Sequence, residues 1–370
     1  VHIWPTVIDG IPLRIRQVNV TIDRKGFTFN PTSCAAQSVV AGLGGIDSLA
    51  PDAARSDVVV SSPFQTTGCG ALGFKPKLAM TLVGKGQTTD GKHPALVAHL
   101  APNAADANSS RVTVALPLSL ALDPGNANGL CEPADAAVDH CAASTVVGHA
   151  VAHSVLRDPL AGPVYFVRGE RKDPKSGRTI KTLPKLFIPL RADGVTIDIN
   201  ASSDVKGDRL VTTFDTLPDA PFSSFDLQID GGKHGILAVS GANVCAGTQL
   251  ADAAYSGQNG KVFVDQIAMG TPCALGVVRT SHTASALKVV VGGVGAGKLS
   301  ASGNGLAKAA RTIGTATTAT LTMKLSKSTR SALAHGRNVK IKVTVLFTPK
   351  GAKKAKRTTK TLLLHGAAKR

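Results

Sequence analysis

Residues 159–230 constrain the fold more than any other stretch of the chain. They read PLAGPVYFV, LPKLFIPL, GVTIDINAS and DRLVTTFDTLPDAPFSSFDLQID, short runs rich in β-branched and aromatic residues set apart by Gly, Pro and Asp. That punctuation predicts antiparallel strands with one buried face. Val195, Ile197 and Ile199 alternate with Thr196, Asp198 and Asn200, and a period of two puts the apolar set on one side of a pleat. Pro218 and Pro221 frame a rigid link before Phe222, Phe225, Leu227 and Ile229 resume the pattern. The expected class is all-β: a β-sandwich-like, multi-domain body followed by an immunoglobulin-like sandwich.

Composition decides what such sheets are packed with. One Trp, two Tyr and three Met among 370 residues leave the cores to Val, Leu, Ile, Ala and Phe. The length suffices for two or three domains. The texture suggests a cysteine-containing β-rich domain over residues 1–158 and a second β-rich unit over 159–280, continuous with the first or separate. A basic sandwich over 285–368 completes the chain.

The net charge of +18 is concentrated at one end. Residues 266–370 carry 19 Lys and Arg and no acid, leaving 23 cations against 24 acids in residues 1–265. A field of one sign attracts polyanions or an acidic neighbour. In the last strands Lys340 and Lys342 alternate with Ile341, Val343 and Val345. Lys350, Lys353, Lys354, Lys356, Arg357 and Lys360 follow. These eight residues are the expected polyanion or subunit contact. The bland alternative is a solvated face, which the complete lack of acid weakens.

Cys34, Cys69, Cys131, Cys141, Cys245 and Cys273 form no CxxC and no CxxCH. An even number in local groups predicts three disulfides, an oxidising compartment and export, against the alternative of buried thiols. Six cysteines allow fifteen pairings; their grouping favours Cys34–Cys69, Cys131–Cys141 and Cys245–Cys273. No apolar run of membrane-spanning length occurs, so no transmembrane segment is expected. No signal peptide is evident, and the start at Val1 suits a processed or excerpted chain.

Along the rest of the chain, residues 13–22 and 27–29 predict strands, residues 35–49 a mixed loop, and 57–62 and 78–83 strands. Residues 111–122 form one strand candidate, with Pro117 arguing for an edge or bulge. Residues 252–255 suit a short helix. Gly231, Gly232 and Gly235 suggest a hairpin turn between residues 226–230 and 236–240. Residues 329–334 suit a short helix or turn between strands of the basic sandwich.

No catalytic signature emerges. Gly292, Gly297 and Lys298 match part of a phosphate loop, but Leu299 stands where the Mg²⁺-binding hydroxyl is required, and the flanks read as strands. His149 and His153 lack the intervening glutamate of a zinc protease, and their spacing separates them on a strand. Asp123, Glu132, Asp135 and Asp139 offer hard oxygens for calcium, without the spacing of a helix–loop–helix site. A plain acidic loop is the simpler account. No catalytic residue, metal ligand or cofactor is therefore expected. Specific nucleic-acid recognition is disfavoured too, because Phe347 is the one aromatic residue in 266–370.

Four segments carry a resemblance: FNPTSC (residues 29–34), SPF…GCGALGFKP (62–76), GPVYFV (162–167) and TTFDTLPDAPFSSFDLQIDGGKHG (212–235). They resemble modular secreted or surface-attached β-rich proteins of soil actinobacteria, in which such a body precedes immunoglobulin-like modules. The resemblance spans roughly residues 1–280 and implies location and modularity rather than chemistry. The expected function is an extracellular structural or adhesive protein, with self-assembly into a homo-oligomer, layer or filament. Its expected partners are a cell-wall polyanion or a neighbouring subunit, met through open strand edges at residues 1–22 or 338–347. The competing expectation, a secreted carbohydrate-binding module or glycan-acting enzyme, wants aromatic platforms that this chain scarcely has.

Overall fold

The computed structural model describes residues 7–12, 17–23, 28–43, 58–241, 243–314 and 318–366. Strands β1 (Val7–Ile8) and β2 (Ile11–Pro12) make a minimal hairpin. Residues 17–23 form no strand, and neither does Phe29; residues 13–16 and Phe27 lie outside the described residues. The loop expected at 35–49 is instead strand β3 (Gln37–Leu43) up to residue 43, paired with β4 (Val58–Phe64). Its Ala, Gly and Ser content hid it, since propensity gives way to a partner strand.

The main body is one sheet of eleven strands. In chain order its region holds β5 (Lys77–Val83), β6 (Ala95–Ala101), β7 (Ser109–Ala115), β8 (Leu120–Leu122), β9 (Val146–His153) and β10 (Leu160–Val167). Then come β11 (Glu170–Lys172), β12 (Thr179–Lys181), β13 (Lys185–Ala192), β14 (Val195–Lys206) and β15 (Arg209–Phe214). Last are β16 (Ser224–Ile229), β17 (Leu237–Val239), β18 (Leu250–Gly257) and β19 (Val262–Ala268). The order across the sheet is β19-β18-β7-β15-β14-β13-β10-β9-β16-β6-β5, every neighbour antiparallel. The pairs β11–β12 and β8–β17 stand apart.

The sheet curls until its two ends meet. Leu82 N–H donates to the Gly270 carbonyl and Gly270 N–H to that of Met80, each at 2.8 Å. This bridge is parallel. An odd number of strands, antiparallel throughout, leaves a closing pair that must be parallel. The inward positions form a continuous apolar core through Leu82, Leu160, Phe166, Ile188, Leu190 and Met269. Burial of each such side chain is worth about 1.5–3 kcal/mol.

Local chemistry sets the corners. Gly207 and Asp208 both take positive φ, 55° and 60°, the two-residue turn whose twist matches the β14–β15 hairpin. Pro117 breaks the run 111–122 into β7 and β8, because it cannot donate to the ladder. The segment 252–255 is strand within β18, not helix, and Ala251, Ala253 and Tyr255 of that strand face the core. Gly231 and Gly235 make no hairpin: β16 pairs with β6 and β9, while β17 pairs with β8. After β15 the chain crosses through residues 217–222 to reach β16 between β6 and β9, so the Pro218–Pro221 frame is a crossover.

Seven further strands build a second core: β20 (Gly276–His282), β21 (Ala286–Gly292), β22 (Gly297–Gly303), β23 (Leu306–Ile313), β24 (Thr318–Lys324), β25 (Val339–Pro349) and β26 (Lys356–Leu364). They form a three-stranded sheet, β20-β21-β24, and a four-stranded one, β23-β22-β25-β26. The first of these strands begins before Ser285, where the basic texture sets in. Leu287, Val289, Leu321 and Met323 meet Leu299, Ile341, Val343 and Phe347 between the sheets. A short helix α1 (Pro133–Ala137) lies in the Cys131–Cys141 loop. Helix α2 (Lys327–Ala334) links β24 to β25 and is capped by Ser326, whose hydroxyl accepts from Thr329 N–H at 3.2 Å.

Candidate assembly and polyanion-contact surfaces

The β3–β4 ribbon stands away from both cores. Directly paired residues share a face, so Val39, Ala41, Leu43, Val58, Val60 and Phe64 lie on one side. Val39, Leu43 and Val58 are 63%, 57% and 64% exposed, and on the opposite side Val40 and Val59 are exposed too. Both long edges of the ribbon are unpaired among the described residues. An isolated two-stranded hairpin is marginal in water, and exposed apolar patches of this kind mark contact sites. Sequence reasoning missed this surface. The signal was present in VVV at residues 58–60, whose neighbours on either side of a pleat are both apolar.

The foot of the ribbon is anchored in detail. Cys34 is disulfide-bonded to Cys69, joining the legs just outside the last strand pair. Thr66 Oγ1 donates to the Ser33 carbonyl at 2.7 Å, and Gln65 Nε2 to that of Cys34 at 2.8 Å. Asp219, in the crossover, gathers the other side: its carboxylate accepts from Thr32 Oγ1 at 2.6 Å, Ser33 N–H at 2.8 Å and Asn108 Nδ2 at 2.8 Å. Two of the resembling segments, FNPTSC and the one containing Leu217-Pro218-Asp219, therefore meet in space.

The remaining cysteines pair as Cys131–Cys141 and Cys245–Cys273. The Cys131 loop packs on the outside of the sheet against Val167, Phe187 and Tyr165. Two of its carboxylates turn to separate arginines, and Asp123, ahead of the loop, turns to a histidine. Glu132 forms a bidentate pair with Arg168 at 2.8–3.0 Å, Asp139 meets Arg191 at 2.9 Å, and Asp123 meets His93 at 2.9 Å. The hydrogen bond from Arg168 holds the Glu132 carboxyl below its usual range. Among the described residues, no three His, Cys, Asp or Glu side chains gather as metal ligands. His149 and His153 lie along β9, and His153 Nδ1 lies 2.6 Å from Asp158 Oδ1. Gly292, Gly297 and Lys298 belong to strands β21 and β22, with no helix following.

The eight basic residues fall into three groups. Lys340 and Lys342 on β25 and Arg357 on β26 share the outer face of the four-stranded sheet, since Leu346 opposes Arg357 and Lys342 opposes Thr361. Lys298 on β22 pairs with Thr348 and extends the same face. Lys350, Lys353 and Lys354 project from the β25–β26 turn. Lys356 and Lys360 have the opposite phase, opposing Phe347 and Val343. Lys360 Nζ bonds the Val277 carbonyl of β20 at 3.0 Å, tying the two sheets at their margin. The strand expected as an edge at residues 338–347 is central: β25 lies between β22 and β26, paired on both sides over residues 343–347 and with β26 alone over 339–342. Its long alternation signals a central strand.

No family model and no curated protein matches the sequence. Among solved structures the chain is similar to the T6 backbone pilin of serotype M6 Streptococcus pyogenes, which has a modular three-domain structure. The identity is 10%, the TM-score 0.22, and the match covers 83% of this chain and 53% of that one, so the chain spans about half the pilin's length. It is also similar to a tetra-tandem repeat in the extending region of a large adhesion protein, at 10% identity and TM-score 0.19 over 91% and 83% of the two chains. At these scores neither likeness carries weight for the fold or the function. Among the described residues, no helix is long and apolar enough to cross a membrane.

Proposed function

We propose that this chain is an extracellular structural or adhesive protein whose copies associate through the β3–β4 ribbon, with a basic sandwich that contacts a polyanion. The observation that carries the reading is the ribbon itself: a disulfide-clamped pair of strands with apolar side chains exposed on both faces and both edges free among the described residues. A second copy fits it best. Strand pairing satisfies the free backbone groups while apolar packing covers the valines. Three disulfides support an oxidising, extracellular setting. The resemblance to modular surface proteins of soil actinobacteria supports the same location.

The chain divides in this reading into a β body and an appended sandwich. The sandwich is immunoglobulin-like, with β20, β21 and β24 facing β22, β25 and β26. It departs from the constant-type division in that its fourth strand, β23, pairs with β22 rather than β24. Its outer basic face has no internal acid to compete with a ligand, which supports contact with a teichoic-acid-like or polysaccharide polyanion.

Sedimentation velocity over a range of protein concentrations tests the assembly. The wild type is expected to associate. A Val39→Lys/Val60→Lys variant, altered on one face of the ribbon, is expected to remain monomeric with an unchanged main unfolding transition. A wild-type protein that stays monomeric at every concentration overturns the reading.

A further inference from the structure

The closed sheet encloses a lumen. Eight strands leave an interior that side chains just fill, and the diameter grows with strand number. Eleven-stranded cans of the fluorescent-protein type place a helix inside. Here α1 lies in the loop packed on the outer face and α2 belongs to the second core, so neither fills the sheet. The interior keeps a cavity of about 180 Å³.

Its walls come from around the circumference: Met80 on β5, Leu100 on β6, Val114 on β7, Leu186 on β13, Ile199 on β14 and Leu227 on β16. Ser109, Ser154, Ser203 and Thr212 are the polar side chains in the lining, and no ionisable group is among them. Ser154 already donates to the Pro221 carbonyl at 2.6 Å. The crossover at 217–222 forms part of the wall, and Pro218 within it is exposed to solvent.

We infer that this lumen binds the alkyl chain of an amphiphile, with the polar head left in water beside Pro218. The walls offer dispersion contacts and no charged anchor, so a fully polar ligand gains nothing by entering. A mouth at the crossover lets a solvated head stay outside. An apolar cavity of about 150 Å³ takes benzene, so this one accommodates on the order of seven carbons. The site lies apart from the basic face, and its crossover wall adjoins Asp219, which holds the foot of the ribbon.

Isothermal titration calorimetry of the full chain with 1-butanol, 1-hexanol, 1-octanol and 1-decanol tests the inference. Affinity is expected to rise about fourfold per methylene and to level off near the octanol length. Ala152→Leu fills the lumen and is expected to abolish octanol binding. If that variant misfolds, Ser203→Leu, at a half-buried lining position, serves the same purpose. Absence of binding, affinity indifferent to chain length, or wild-type binding by a folded lumen-filling variant overturns the proposal. Naphthalene binding more tightly than octanol overturns the assignment to an alkyl chain.

Discussion

Asp219 illustrates how single residues hold this molecule together. It joins residues 32–33 to Asn108 and so fixes the foot of the ribbon to the body. Charge-assisted bonds of this kind are worth more than neutral ones. Asp219→Ala is expected to cost about 2 kcal/mol in urea unfolding and to speed amide exchange at Ser33. Unaltered exchange there would remove Asp219 from this role. Arg209 acts similarly at the head of β15. It donates to the carbonyls of Leu116 at 2.7 Å and Ala115 at 2.8 Å and pairs with Asp252. Hydrogen bonds from Gln266 and then Arg209 hold the Asp252 carboxyl below its ordinary range. A carboxyl depressed on folding stabilises above its unfolded value of about 4, and that contribution fades as pH falls through the lower folded value. Acid titration of stability should therefore show a smaller loss below pH about 4 in Asp252→Asn than in the wild type.

At the scale of elements, alternation was legible and pairing was not. The phase of β25 is written in Lys340, Ile341, Lys342 and Val343. The phase of β26 is not, because KRTTKTLLL reads plausibly either way until Val343 is placed opposite Lys360. A surface row and a sheet-to-sheet tie thus looked alike in sequence. The two are separable on an immobilised polyanion such as heparin. Lys340→Gln/Lys342→Gln/Arg357→Gln should elute at lower salt than the wild type, since each lost contact lowers the salt dependence. Lys360→Gln should elute with the wild type yet unfold more easily, by about 1 kcal/mol. The opposite pattern would exchange their roles. Glycines carry similar hidden information. A Cβ on Gly162 would stand 1.9 Å from the Pro189 carbonyl oxygen, so β10 and β13 approach as only glycine allows. Gly162→Ala should cost about 2 kcal/mol in denaturant unfolding, and a neutral result would show that the strands shift freely.

For the whole molecule, the sequence revealed the β class, the basic end and the local grouping of cysteines. It concealed the closure of the large sheet, which depends on Gly270 meeting Met80 and Leu82 across some 190 residues of chain. It concealed the ribbon as well, because residues 35–43 carry weak strand propensity and gain their form from β4. Charge and apolar surface also separate in space. The basic face belongs to the second core and the ribbon to the start of the chain, so salt should weaken polyanion contact while leaving self-association intact.

Electron microscopy of the purified protein at low and high salt tests self-association most directly. The expected images show ordered assemblies at both salt concentrations, with the β3–β4 ribbon of one subunit seated against the next. Dispersed single molecules at low and high salt alike, at concentrations well above the micromolar range, would contradict the account.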